Sequence, residues 1–181
     1  MANDEKKHLY VPKVQDNPLT SERLQKFVEG RLTLQELHEI SASQLMAIAQ
    51  LGETMIASGK LQTAQALFEG LTALNPHLAS FHTVLAGIYL KQGEFEKSIE
   101  EYSRAIRRNA KDVAALANRG EIYLRLGRLE EASRDLGQAI DIEKDIPTEN
   151  RSPMGKRAMV LALALRETVN EMQRQMAEGK E

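Results

Sequence analysis

The side chains that most often carry chemistry are few and scattered in this sequence. Its four histidines, His8, His38, His77 and His82, have no partner at metal-ligand spacing, and no H-x-x-x-H pair occurs. There is no cysteine, which removes thiolate nucleophiles, cysteine-type zinc sites and disulfides together. The adjacent carboxylates Glu100, Glu101, Glu130 and Glu131 lie near Lys97, Arg104, Arg128 and Arg134. At helical spacing these read as solvated faces with i,i+4 pairing, not as a general acid and base. His77 and His82 flank a helix start and read as a turn residue and a helix surface residue. No glycine-rich loop follows a strand pattern, so a phosphate cradle is not expected either. The expectation is a protein with no catalytic residue, metal or cofactor.

The elements that would position any site are written as a repeat. Gly59, Gly93 and Gly127 are evenly spaced along the chain. The same step links Gly52, Ala86 and Gly120; Met55, Tyr89 and Tyr123; Leu61, Phe95 and Leu129; Ala64, Ser98 and Ala132; and Phe68, Tyr102 and Leu136. Between the glycines, apolar residues recur at three and four, the spacing of one helix face: Leu45, Ile48, Leu51 and Met55 in the first copy. Gly52 is small because the second helix approaches there, with Ala64 opposite and Phe68 in the next layer. Asn75 and Pro76 end that helix, since proline cannot continue it. Ala110 and Lys144 replace Pro76 in the later copies, so those turns should be less rigidly closed. Arg119 stands where the other copies have Leu51 and Leu85; its stem can cover apolar surface while its head stays wet.

A helix–turn–helix unit of about 34 residues with these columns resembles the tetratricopeptide repeat. The expected fold is all-α: a right-handed superhelix of three repeats over 45–146 (45–78, 79–112 and 113–146). In that family the first helix of each repeat lines the concave face. The resemblance therefore points a peptide-binding groove at Met46, Ala49, Glu53 and Ile56. The equivalents are Ser80, Thr83, Gly87 and Leu90, then Ala114, Ala117, Glu121 and Leu124. Small residues leave room for a peptide backbone, and the rung Ile56, Leu90, Leu124 could accept its side chains. The same residues also suit plain helix surface, since alanine is the best helix former. Repeats that grip the C-terminal carboxylate of heat-shock chaperones carry a Lys, Asn and Arg clamp on this face. Here Glu53 and Glu121 stand where an Asn belongs and Ala114 where a Lys belongs, and acids repel a carboxylate.

Flanking segments complete the plan. Residues 1–17 are polar and bury too little to offset their ordering entropy, so a disordered tail is expected. Residues 18–44 form a helical arm, with Thr20 or Ser21 capping a helix through Gly30 and Leu32, Leu34, Leu37 and Ile40 in a second short segment. Two readings of the arm stay open: a cap on the first repeat, or a homodimer interface. Ser41 and Gln44 have capping-box spacing, with Ser43 a competing cap. Ser152 and Pro153 open a helix reaching about Met176. Its stripe of Met154, Ala158, Leu161, Leu165, Val169 and Met172 reads as a capping helix over 152–177 that closes the last repeat.

Composition narrows the setting. The chain has 181 residues and a formal net charge of -2, which offers no electrostatic footing for nucleic acid. The first residues lack the apolar core of a secretory signal. The longest apolar run, Ala158 to Leu165, is far short of the ~20 residues that span a bilayer. A soluble, cytoplasmic protein without membrane insertion is expected.

A closer resemblance covers about residues 33 to 142. Leu37-His38-Glu39-Ile40-Ser41 followed by Leu45, Ser58-Gly59-Lys60 with Ala64 and Phe68, and Gly93-Glu94-Phe95 with Ser98, Ile99 and Tyr102 are similar to the class II type III secretion chaperones. These bacterial proteins combine a helical arm, three tetratricopeptide repeats and a final helix. The resemblance implies a chaperone that holds an extended segment of a secreted, translocator-type client, and dimerisation through the arm. Relatives place aromatic residues along the first-repeat groove where this chain has Ala49, Glu53 and Ile56, which implies shallower pockets. A scaffold or adaptor in another bacterial assembly is the alternative.

Overall fold

The computed structural model describes residues 21–178, and every element among them is a helix. The tail expected over 1–17 lies outside the described residues, as do residues 18–20. The chain divides into two compact units, one ending at Ile40 and the other beginning at Ser41.

The first unit holds α1 (Ser21–Val28) and the short α2 (Leu34–Leu37). Thr33 caps α2. Its hydroxyl accepts from the Glu36 N–H at 3.2 Å, and the Glu36 carboxylate accepts the Thr33 N–H at 2.7 Å. That exchange satisfies two of the donors every helix start leaves free. α2 is followed by Glu39 at φ 53°, a left-handed backbone that costs a residue with a Cβ roughly 1–2 kcal/mol. Arg23 of α1 holds this corner. It reaches the Glu39 carboxylate at 2.6 Å and donates to the Glu36 carbonyl at 2.6 Å.

The second unit is three helix pairs and a long final helix. The pairs are α3 (Ala42–Ala57) with α4 (Leu61–Leu74), α5 (Ala79–Gln92) with α6 (Phe95–Arg108), and α7 (Val113–Arg125) with α8 (Leu129–Ile142); α9 (Pro153–Glu178) follows. The helices of each pair pack on one another, and the second helix of each pair also packs on the first helix that follows it. Gly59, Gly93 and Gly127 make the turns within the pairs at φ 73°, 78° and 72°, where glycine lacks the Cβ clash. Ser41, not Ser43, caps α3, its hydroxyl accepting from Gln44 N–H while Gln44 Oε1 accepts the Ser41 N–H.

Two expectations about these pairs need correcting. A Cβ built on Gly52 would stand 2.6 Å from Phe68 Cε2, and one on Gly120 would stand 2.9 Å from Leu136 Cγ. The side chain that demands glycine is thus the large one of the 68/136 column, not Ala64. Ala64, Ser98 and Ala132 are all fully buried, and Ser98 donates to the Ala86 carbonyl at 2.8 Å. The second inter-repeat turn also closes as tightly as the first, although Ala110 replaces Pro76. Asn75 and Asn109 end α4 and α6 with nearly the same backbone, φ -140° and -137°. Each side-chain carbonyl accepts the N–H two residues on, from His77 at 3.0 Å and Lys111 at 3.1 Å. The Asx turn closes both.

Of three side chains expected at the surface, two are buried and the third, Arg119, is half-buried. His82 is 3% exposed. Its Nδ1 lies 2.6 Å from the Glu101 carboxylate and its Nε2 3.1 Å from the Pro76 carbonyl. Glu101 is itself buried and also takes Arg104 Nη1 at 2.9 Å. The Arg119 head is not wet. Nε and Nη2 clamp the two oxygens of Asp135 at 2.7 and 2.8 Å, and Nη1 donates to Ser103 Oγ at 2.8 Å. Burial works against its charge, but the Asp135 hydrogen bonds win and hold the guanidinium firmly protonated. Buried charge demands a partner, and Glu101 and Asp135, which share one column of the repeat, supply it in the second and third copies.

α9 begins where Ser152 accepts the Gly155 N–H at 2.9 Å and Glu143 accepts the Ser152 N–H at 3.1 Å. Ala158 and Leu165 are its buried anchors. Ala158 joins Leu116, Ala117, Leu136 and Ala139 in one apolar cluster, and Leu165 joins Tyr123 and Ala132 in another. α9 therefore lies on both α7 and α8.

Candidate functional site

The twelve positions on the first helices of the repeats are not equivalent. Met46 is 61% exposed, and Glu53 and Ser80 are also open to solvent. Ile56, Thr83, Gly87, Leu90, Ala114 and Leu124 are half-buried. Met46, Ala49 and Glu53 share a surface hollow of about 420 Å³ with Ser43, Ala47 and Gln50. In the second repeat, Thr83 donates to Asp112 at 2.7 Å, and the other Asp112 oxygen caps α7 through the Ala115 N–H at 2.9 Å. That bond fixes the first helix of the second repeat to the start of the third.

The third repeat departs from the expected groove. Ala117 has no exposed surface and Glu121 is 7% exposed. Both lie under α9. Ala117 shares one apolar cluster with Ala158, and small side chains there let the helices approach closely. Glu121 is ion-paired with Arg157 of α9 and with Arg125 at 2.7 Å. Neither residue offers surface to a partner in this arrangement. Ala49, at 5% exposure, contributes only a small floor. The apolar rung is also partly spent on the fold: Leu90 packs on the Ala86–Tyr102–Ile122 cluster, and Leu124 on the clusters that hold Ala117 and Leu165. The open surface runs along the first and second repeats, with Ala114 at its far edge.

One surface feature was not anticipated from the sequence. A polar cleft of about 400 Å³ is lined by Arg104, Arg107 and Arg108 of α6 and by Thr72 and Ala73 of α4, with buried His82 among its walls. Its signal was present, since the other repeats have Gly70, Ala73 and Leu74 or Gln138, Asp141 and Ile142 in those columns. Near it, Gln65 and Tyr89 donate to the Glu69 carboxylate at 2.8 and 2.7 Å. Those bonds hold the Glu69 carboxyl below the usual range, and burial together with Glu69 pushes the Tyr89 phenol up. Among the described residues no cluster of three histidines or carboxylates is arranged for a metal ion. No helix among them is long and apolar enough to cross a membrane.

Paired helices, each pair joined by a glycine turn and stacked on the next, define a helical repeat protein. Two overlapping matches to the tetratricopeptide repeat family, over residues 50–108 and 83–145, together take in more than half of the sequence, and the chain belongs to that family. Among its relatives, the low calcium response locus protein H of Yersinia pseudotuberculosis is 25% identical over 143 residues, which is 79% of this chain and 85% of that protein. A type III secretion system complex from Aeromonas hydrophila superimposes with a TM-score of 0.75 at 22% identity, over 82% of this chain and 98% of that one. The Yersinia enterocolitica type III secretion chaperone SycD, in complex with a peptide of the translocator YopD, gives a TM-score of 0.66 at 23% identity, over 72% and 98%. The chain resembles type III secretion translocator chaperones in fold.

Proposed function

We propose that this protein is a chaperone that holds an extended segment of a secreted, translocator-type client along the first helices of its repeats. The observation that carries the reading is the exposed face of α3 and α5. Met46, Glu53 and Ser80 remain open beside a hollow of about 420 Å³, on a scaffold similar to one solved with a translocator peptide. Small side chains along this face let a peptide backbone approach, and Met46 adapts its shape to an apolar anchor. The client's binding energy falls on the soluble complex alone, so mass action keeps the client from misassembly. The protein acts before export, in the cytoplasm, by binding and without catalysis.

Organisation follows from that role. The repeats begin with α3 at Ala42 and run to 146, the first two of them holding the client; 152–177 is the helix that closes them, and the arm through which two copies pair lies ahead of α3. The third repeat works mainly as the seat of α9.

The test is co-purification of the full chain from its native cell, comparing wild type with a Met46→Asp, Ser80→Asp double variant. Both substituted positions are exposed, so helicity and melting should not change. A secreted, membrane-active protein should accompany the wild type and be lost from the variant. Equal recovery from both would move the client elsewhere, and recovery of a soluble assembly component instead would favour an adaptor.

A further inference from the structure

The polar cleft of about 400 Å³ between α4 and α6 gathers three guanidiniums on one side, Arg104, Arg107 and Arg108. Arg107 and Arg108 lie three and four residues beyond Arg104, so both are its neighbours on the surface of α6. Thr72 and Ala73 line the cleft from α4, and Glu69, Pro76 and buried His82 complete its walls. The next groove along is bridged at the same place. Gln138, one repeat step after Arg104, donates to the Ala110 carbonyl, one repeat step after Pro76, at 3.2 Å. The second copy commits both of these partners elsewhere. Arg104 is drawn along its own helix to Glu100 at 2.5 Å and Glu101 at 2.9 Å, and the Pro76 carbonyl lies 3.1 Å from His82 Nε2. The cleft is left open.

The carboxylates around it already have partners. Glu101 takes His82 and Arg104, and Glu100 takes Arg104. Glu69 accepts from Gln65 and Tyr89, and Lys97 is the cation that acts on it. Arg107 and Arg108 are exposed and make no ion pair among the described residues. Two positive charges therefore line the cleft without a counter-charge. The repeat does not demand them, since the other copies have Ala73 and Leu74 or Asp141 and Ile142 in those columns. Arginine in a last turn also suits the helix dipole. That accounts for a cation at a helix end, but not for two of them beside a third around one cleft.

We propose that the cleft binds the phosphoryl group of a small organic phosphate. Such a group carries roughly −1.5 to −2 charge at neutral pH and three strong acceptor oxygens, where a carboxylate has one charge and two oxygens. The two uncompensated guanidiniums match that charge. Their planar forks donate in pairs to phosphate oxygens, and Arg104 has N–H donors left beyond those it gives to Glu100 and Glu101. The cavity lies within the range of about 300–1,000 Å³ common to small-molecule sites, which leaves room for the organic part. It shares no residue with the client face and does not depend on it.

The test is a titration of the ¹⁵N-labelled full-length protein with phenyl phosphate at constant ionic strength, followed by amide and arginine Nε–H resonances. Saturable shifts are expected at 72–76 and 104–108, with a dissociation constant of about 1 mM or below. Arg107→Gln and Arg108→Gln should each weaken binding about tenfold, the scale of one hydrogen bond to a charged group. Ala73→Glu, at an exposed position, should abolish it by placing an acid in the cleft, with circular dichroism unchanged for all three. Arg134→Gln, on the exposed side of α8 and outside the cleft, should leave binding as it was. No saturable shift at those residues overturns the proposal, as does an equal loss from Arg134→Gln. Glutarate, a small dicarboxylate, binding as tightly as phenyl phosphate overturns the assignment to a phosphoryl group.

Discussion

Replacing Arg119 by leucine puts back the residue type found at Leu51 and Leu85, and packing alone would make that a mild change. The ion pair makes it a severe one. Asp135 is 3% exposed, and Arg119 binds both its oxygens at 2.7 and 2.8 Å. Arg119→Leu leaves that carboxylate buried without its partner, which costs roughly 3–5 kcal/mol. Ser103 is not orphaned by the change, because its hydroxyl also donates to the Ile99 carbonyl at 2.6 Å. The double variant Arg119→Leu, Asp135→Leu removes the stranded charge and should return to within about 1 kcal/mol of wild type, as buried pairs exchanged for apolar groups often do. Urea unfolding followed by circular dichroism measures both. With a slope of roughly 2 kcal/mol/M for a domain of this size, the single variant's midpoint should drop by roughly 2 M. A single variant costing less than about 1 kcal/mol, or a double as unstable as the single, would refute the reasoning.

Gly120→Ala should destabilise the third repeat by roughly 1–3 kcal/mol despite alanine's better helix propensity, because the new Cβ would press on Leu136 at 2.9 Å; an unchanged melting temperature would contradict the contact. Tyr89→Phe should cost about 0.5–1.5 kcal/mol at neutral pH by removing the hydroxyl that donates to Glu69. The Glu69 carboxyl is held low in the folded protein, so the benefit is complete above its unfolded value and lost as pH falls through its folded value. The gap between wild type and variant should thus narrow toward acid pH; a gap that widens contradicts the sign. Deleting residues 1–30 should halve the mass seen by light scattering if the arm joins two copies, and an unchanged mass would rule that interface out.

The repeat itself was legible because its signals are local. The turn glycine of each copy, the 52/120 small column and the 68/136 large column each report a contact within one helix pair, and the pattern recurs three times. The capping box at Ser41 and Gln44 is more local still. What the sequence hid were pairings between helices that no single-helix period encodes. His82 and Glu101 look like surface residues when each helix is read alone, and so does Arg119 until Asp135 is placed opposite it. The burial of Ala117 and Glu121 was hidden for a related reason. α9 starts at Pro153, well past position 147, where one more repeat step from Val113 would put it. Its register against α7 could not be counted from the repeat; Arg157 beside Glu121 and Ala158 in the cluster of Leu116 and Ala117 reveal it.

Whether a client lies along the exposed face of α3 and α5 can be tested with a photo-crosslinking residue placed singly at Met46, Ser80 or Arg107 in the full chain and irradiated in the native cell. A secreted-protein adduct is expected from positions 46 and 80, mapped to one short extended segment, and none from 107 on α6. Adducts from 107 alone, or adducts from 46 and 80 scattered over many unrelated proteins, would contradict that placement.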